Sequence, residues 1–77
     1  MRFNCEFEHP KTGTHKSVEV TLTADECAQI IDARERDGID QAVIVAQALA
    51  LRCAYSANPE LRKGFLHTEP PSAVAVN

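Results

Sequence analysis

Apolar residues are densest in the stretch from Asp40 to Ala57, DQAVIVAQALALRCAYSA. At about 100° per residue, they fall on two lines at roughly opposite sides of a helix: Ala42, Ala46, Leu49 and Cys53 on one line, and Ile44, Ala48, Leu51 and Tyr55 on the other. Polar residues occupy only two narrow lanes between these lines. A helix that is apolar on two sides is buried between two layers. This stretch therefore predicts the helix around which the fold is built.

Two segments with the period of a strand precede this helix, from Arg2 to Glu8 and from His15 to Leu22. Between them, Lys11 and Thr12 suit a type I turn followed by a left-handed Gly13. The spacing predicts an antiparallel β-hairpin, and an isolated hairpin is marginal in water. Its apolar face must therefore pack on helices. That face consists of Phe3, Cys5, Phe7, Val18, Val20 and Leu22.

A first helix is predicted over residues 24–37. Thr23 and Glu26 have the spacing of a capping box, in which each side chain bonds the other residue's backbone amide. Gly38 suits the left-handed residue that ends a helix. Asp40 is a good N-cap for the second helix, so the two helices should be joined by a tight turn. The predicted fold class is α+β, with a hairpin packed on two consecutive helices (ββαα).

The end of the chain is less strongly patterned. Pro59 should end the second helix near Asn58, because the residue before a proline avoids helical geometry. Residues 65–68 can form a short third strand. Pro70 and Pro71 then begin a stiff, extended segment. We expect residues 1–69 to form a single small domain and residues 70–77 to be a flexible tail.

Composition excludes several functional classes. The 77 residues make one small domain, and a substrate pocket of about 300 Å³ or more would occupy much of its interior. The net charge is −3 and the acids and bases are interspersed, so nucleic acid is not expected as a partner. The three glycines are isolated from one another, and no Gly-rich phosphate loop is possible. The sequence therefore favours a non-enzymatic protein without a cofactor.

Neither an export signal nor a membrane span is predicted. The N-terminal residues carry acids where a signal peptide needs an apolar core. The richest apolar run, Ala42 to Leu51, is interrupted by Gln47 and is shorter than the roughly 20 residues that cross a bilayer. The three cysteines are widely spaced and do not form a disulfide framework. We expect a soluble, cytoplasmic protein with no membrane partner.

The densest group of potential metal ligands lies around the hairpin. The hairpin can bring together Cys5, His9 and His15, and His67 can join them from the third segment. Imidazole and thiolate are the usual zinc ligands. The spacing nevertheless matches no zinc motif, and alternation places Cys5 on the apolar face. A metal-binding protein is therefore the alternative function, and no metal site is the favoured interpretation.

The leading hypothesis is a protein-interaction module. Its binding surface would be the part of the second helix that the hairpin and first helix leave uncovered, with Ile44, Leu51 and Tyr55 as contact residues. The partner would be another protein or a second copy of the chain, forming a homodimer. In the competing interpretation, the first helix covers one apolar line and the hairpin covers the other, which leaves a monomer without a binding surface.

Overall fold

The computed structural model describes residues 1–74 and confirms the predicted ββαα arrangement. The elements run in the order β1 (Arg2–Glu8), β2 (His15–Thr21), α1 (Ala24–Asp37), α2 (Ile39–Ala57), a 3-10 helix (Pro59–Arg62), β3 (Leu66–His67) and β4 (Ser72–Ala73). β1 lies inside the sheet. It pairs antiparallel with β2 along one edge and with both short strands, β3 and β4, along the other.

The hairpin forms as its alternation predicts. Phe3 lies opposite Val20 and Cys5 lies opposite Val18, so the apolar side chains of both strands share one face. At the turn, Gly13 adopts φ 73° and its amide donates a 2.8 Å hydrogen bond to the carbonyl of His9. This left-handed residue reverses the chain without shifting the register that builds the apolar face.

The predicted third strand is present as β3, and a fourth strand follows it within the segment expected to be a tail. Ser72 and Ala73 pair with Asn4 and Phe3 of β1, and Pro71 is buried. The amide of Val74 donates to the carbonyl of Arg2 at 2.9 Å. The first residues of the expected tail therefore extend the sheet, while residues 75–77 lie outside the described part of the chain.

The capping box at the start of α1 is confirmed. The Thr23 hydroxyl accepts from the Glu26 amide at 3.2 Å, and the Thr23 amide donates to the Glu26 carboxylate at 3.0 Å. The same carboxylate accepts a hydrogen bond of 3.2 Å from the thiol of Cys53 in α2. Glu26 thus contributes to the N-terminal cap of α1 and links α1 to α2 through a hydrogen bond.

The start of α2 differs from the prediction. Gly38, and not Asp40, is the N-cap, because Gly38 has φ 93° and ψ 174° and turns the chain within a single residue. Its amide closes α1 on the Arg34 carbonyl at 3.0 Å, and its own carbonyl accepts from Ala42 at 3.2 Å. Asp40 lies instead in the first turn of α2, where a carboxylate interacts favourably with the helix dipole.

The core lies between α2, the sheet and α1. The line of α2 that begins at Ala42 is buried, as predicted, and four of its buried residues are alanines one turn apart. Leu61 of the 3-10 helix and Phe7 of β1 are fully buried against it. The buried hydrophobic cluster consists of Phe3, Cys5, Phe7, Val20, Leu22, Ile30, Ala42, Ala46, Leu49, Ala50, Ala54 and Leu61.

The core does not reach the junction of the two helices. The molecule is 42 Å long and about half as wide, at 23 × 22 Å. β1 has 7 residues and spans roughly 23 Å, and α2 has 19 residues and spans roughly 28 Å. Neither element alone accounts for the long axis. Every residue from Arg34 to Gln41 is exposed, so the end of α1 and the start of α2 lie outside the buried cluster.

Replacing Gly38 by Ala should destabilise the protein through the backbone alone. The φ and ψ of Gly38 fall in a region that only glycine occupies readily, and a Cβ there would meet nothing within 4 Å. We expect Gly38→Ala to cost about 1–3 kcal/mol of unfolding free energy in urea titrations. Gly13→Ala is the matched control, because its Cβ also meets open space and its φ of 73° costs about 1 kcal/mol. Equal losses in the two variants would contradict this account.

The capping carboxylate should make stability depend on pH. Hydrogen bonds from the Thr23 backbone and then from the Cys53 thiol hold the pKa of Glu26 below its ordinary value of 4.5. A depressed folded pKa stabilises the protein fully above the unfolded value and loses its effect as pH falls through the folded value. We therefore expect the stability difference between wild type and Glu26→Gln to shrink below about pH 4.5 in denaturation curves. A difference that stays constant down to about pH 3 would contradict this.

Candidate functional site

The three residues predicted for the interaction surface are not equally available. Ile44 is 57% exposed. Leu51 and Tyr55 are half-buried and packed against the core. The Tyr55 ring meets the edge of Phe7 with centroids 5.4 Å apart, and its hydroxyl donates to the Phe65 carbonyl at 3.4 Å. The half of the second apolar line with Leu51 and Tyr55 is thus occupied within the chain, whereas Ile44 and Ala48 are exposed.

Ile44 belongs to a larger exposed apolar surface, the tip patch, at the end of the helical pair. Among residues 1–74, six large hydrophobic side chains are exposed, and four of them lie within this short region on either side of Gly38. They are Ile31 (57% exposed) in α1 and Ile39 (59%), Val43 (47%) and Ile44 (57%) in α2. The residues between them, from Arg34 to Asp37 and from Gly38 to Gln41, are exposed as well, so the core does not reach this end of the helical pair.

A groove of about 380 Å³ lies between the sheet and the two helices. Its sheet side is formed by Met1, Phe3, Pro71 and Ala73. Its helical side is formed by Ile30, Ile31 and Arg34 of α1 and by Ile39, Ala42, Val43, Ala46 and Gln47 of α2. Three residues of the tip patch thus also line the groove. The groove therefore has apolar walls and lies within the size range of small-ligand sites.

Two polar side chains border this groove. Gln47 donates from Nε2 to the Pro71 carbonyl at 3.4 Å, which ties the segment before β4 to α2. Arg34 forms no ion pair with any residue in the range 1–74, whereas Arg36, half a turn further on, pairs with Asp32 at 3.5 Å. The groove is thus lined by a single charged side chain, Arg34, which is available to an anion.

The predicted metal ligands lie in separate environments. Cys5 is buried in the core. The Nδ1 atom of His9 accepts from the Lys11 amide at 3.3 Å, and its ring packs edge-on against Phe65. His15 approaches Glu8 at 3.4 Å, and His67 is exposed on β3. In the described range, no three His, Cys, Asp or Glu side chains are placed to hold one metal ion.

Two of the three cysteine thiols lack the environment of a nucleophile. All three cysteines are free. Burial is the main cause that raises the pKa of Cys5, and the nearby Cys53 and Glu6 raise it further. Burial also raises the pKa of Cys53, and its hydrogen bond to Glu26 adds to this shift. Both groups are therefore thiols at neutral pH, while the thiolate is the reactive form.

The outer face of the sheet is polar and internally paired. The Ser17 hydroxyl donates to both carboxylate oxygens of Glu6, at 2.7 and 2.6 Å, and Asn4 donates to one of them at 2.7 Å. These bonds hold the pKa of Glu6 below its ordinary value. Arg2 pairs with Glu19 at 3.1 Å. The acids of this face already have partners within the chain, which leaves the groove and the tip patch as the candidate site.

No helix among residues 1–74 is long and apolar enough to cross a membrane. In comparisons with known proteins, the chain matches no protein-family model, and no curated protein or solved structure shows significant similarity to it. The function must therefore be inferred from the surface that the fold itself creates.

Sequence reasoning named Ile44 for the binding surface and did not name the exposed residues beside it. Ile31 follows the buried Ile30 and therefore lies about 100° away on α1, on a side that a short hairpin cannot reach. Ile39, at the start of α2, is exposed as well. The signal that could have indicated this surface is the concentration of four large apolar residues within the 14 positions from Ile31 to Ile44.

Proposed function

We propose that this chain is a small protein-interaction module that self-associates through the tip patch at the end of its helical pair. The observation that carries the proposal is the exposure of Ile31, Ile39, Val43 and Ile44, each about half uncovered, within 14 positions of the chain. The first three of these side chains also line one groove. Clustered exposed apolar surface of this kind marks interaction sites.

The free energy gained by covering these exposed side chains supports a partner for this surface. Fully burying a side chain such as Ile or Val contributes about 1.5–3 kcal/mol. Covering the exposed half of four such side chains would contribute on the order of several kcal/mol by the same relation. That is a large share of the roughly 5–15 kcal/mol that separates folded from unfolded states. Leaving the patch in water is therefore a substantial cost for a domain of 77 residues.

The charges around the tip patch favour a second copy as the partner. A two-fold contact brings the same surface of both molecules together, so its rim must contain both signs of charge. Arg34 on α1 and Asp40 on α2 flank the patch, and neither forms an ion pair within the described residues. In a two-fold contact, Arg34 of one copy can pair with Asp40 of the other. A strongly acidic or basic rim would instead repel a second copy.

Of the three contact residues predicted from the sequence, this proposal rests on Ile44. Leu51 and Tyr55 are half-buried by residues of the same chain and lie outside the proposed interface. The three free cysteines support the cytoplasm as the compartment, because thiols persist in a reducing environment.

Replacing Ile44 by Glu should convert a dimer into a folded monomer. The side chain is 57% exposed and does not line the groove, so the substitution places a charge in the interface without disturbing the core. Multi-angle light scattering at micromolar concentration should give twice the chain mass for the wild type and the chain mass for Ile44→Glu. Urea denaturation should show that the variant remains folded and unfolds in one cooperative transition.

The matched control is Gln29→Glu, which adds the same charge to an exposed position on the far side of α1 from Ile31. We expect this variant to remain dimeric. A wild-type protein that is monomeric throughout the micromolar range would contradict the proposal. A dimer that survives Ile44→Glu would place the interface elsewhere on the molecule.

A further inference from the structure

We infer that the groove between the helical pair and the sheet binds the aliphatic chain of a medium-chain carboxylate, with Arg34 pairing with the carboxylate group. This inference goes beyond self-association, because it assigns a small-molecule site to the interior of the groove. It follows from the volume of the groove, from the small residues on its floor, and from the charged side chain of Arg34 beside it.

The volume of the groove is a consequence of small residues on its floor. Ala42 and Ala46 of α2 are buried there, and Ala73 of β4 lies at the sheet side. Each is a methyl group where a leucine would fill the space. The larger residues Ile31 and Val43 lie at the edges of the groove and are about half exposed. The result is a trough of about 380 Å³ with apolar walls, which suits a flexible hydrocarbon chain.

The hydrogen bond from Gln47 to the Pro71 carbonyl keeps one wall of this trough in place. Pro71 is buried, and β4 pairs with β1 at Phe3, so this wall is held to α2 by a side-chain hydrogen bond and to β1 by backbone pairing. A preformed wall reduces the ordering that a ligand must impose when it binds. The groove is thus formed by segments that contacts within the fold hold in place.

Arg34 determines the chemistry of the head group. It is the only charged side chain on the groove, and no acid in residues 1–74 pairs with it. A guanidinium binds a carboxylate through two parallel hydrogen bonds. One charged side chain beside an apolar trough matches a ligand with a carboxylate on an apolar chain.

The experiment uses the full chain labelled with 15N, with octanoate and 1-octanol as probes. Two-dimensional NMR titrations locate the binding site and give the affinity. We expect saturable shifts of the amides of Arg34, Val43 and Ala46, with octanoate binding more tightly than octanol. Arg34→Gln should weaken octanoate by about threefold to tenfold, as for a partly exposed charge-assisted contact, and should leave octanol unchanged.

A second pair of variants tests the trough itself. Ala73→Phe places a ring in the groove and should weaken both probes by about tenfold or more, because the ring takes the space of several methylene groups. Ser72→Phe is the matched control: Ser72 pairs with Asn4 on the outer face of the sheet, so binding should be unchanged. The 15N spectra of both variants also show whether the fold is intact.

Repeating the titration on Ile44→Glu separates this inference from self-association, because Ile44 does not line the groove. Octanoate should bind this variant whether or not the wild type dimerises. The inference is overturned if the octanoate shifts do not saturate, or if they map away from the groove. It is equally overturned if Arg34→Gln leaves the preference for octanoate over octanol unchanged, or if Ala73→Phe binds like Ser72→Phe.

Discussion

The close approach of α2 to the sheet and to α1 is the contact on which this structure depends. Ala42, Ala46, Ala50 and Ala54 recur one turn apart and are all buried. Their small side chains bring the helix near β1, and the volume between the layers is filled by large residues of the strands and of the segment after α2, such as Phe7 and Leu61. A domain of this size buries only about 60% of its unfolded surface, so it depends on a core that is dense over a short length.

The same packing fixes where the core ends. The alanine line begins at Ala42, and every residue from Arg34 to Gln41 is exposed, so the core does not reach the junction of the two helices. A helix that packs on one side buries only one stripe of its residues. Residues outside that stripe, such as Ile31 and Ile44, are therefore exposed.

Local patterns predicted the elements well, and the arrangement of the elements in space was harder to obtain. The strand period, the capping box at Thr23 and the glycine after α1 are signals within a few residues, and each corresponds to an observed feature. The pairing of β4 with β1 joins residues 70 positions apart and was not predicted, since two-residue strands have no period. Similarly, Leu51 and Tyr55 are covered by contacts with Phe7 and Phe65, which no helical periodicity reveals.

The groove and the tip patch share Ile31, Ile39 and Val43. Ala42 and Ala46 are buried, and they connect the core to the groove because they also form its floor. A second copy bound to the tip patch would contact the residues at the edge of that groove. A ligand bound in the groove would contact the same residues and would pair with Arg34, so the two binding events would be linked. Such linkage is reciprocal: whatever factor the carboxylate imposes on self-association, self-association imposes on carboxylate affinity.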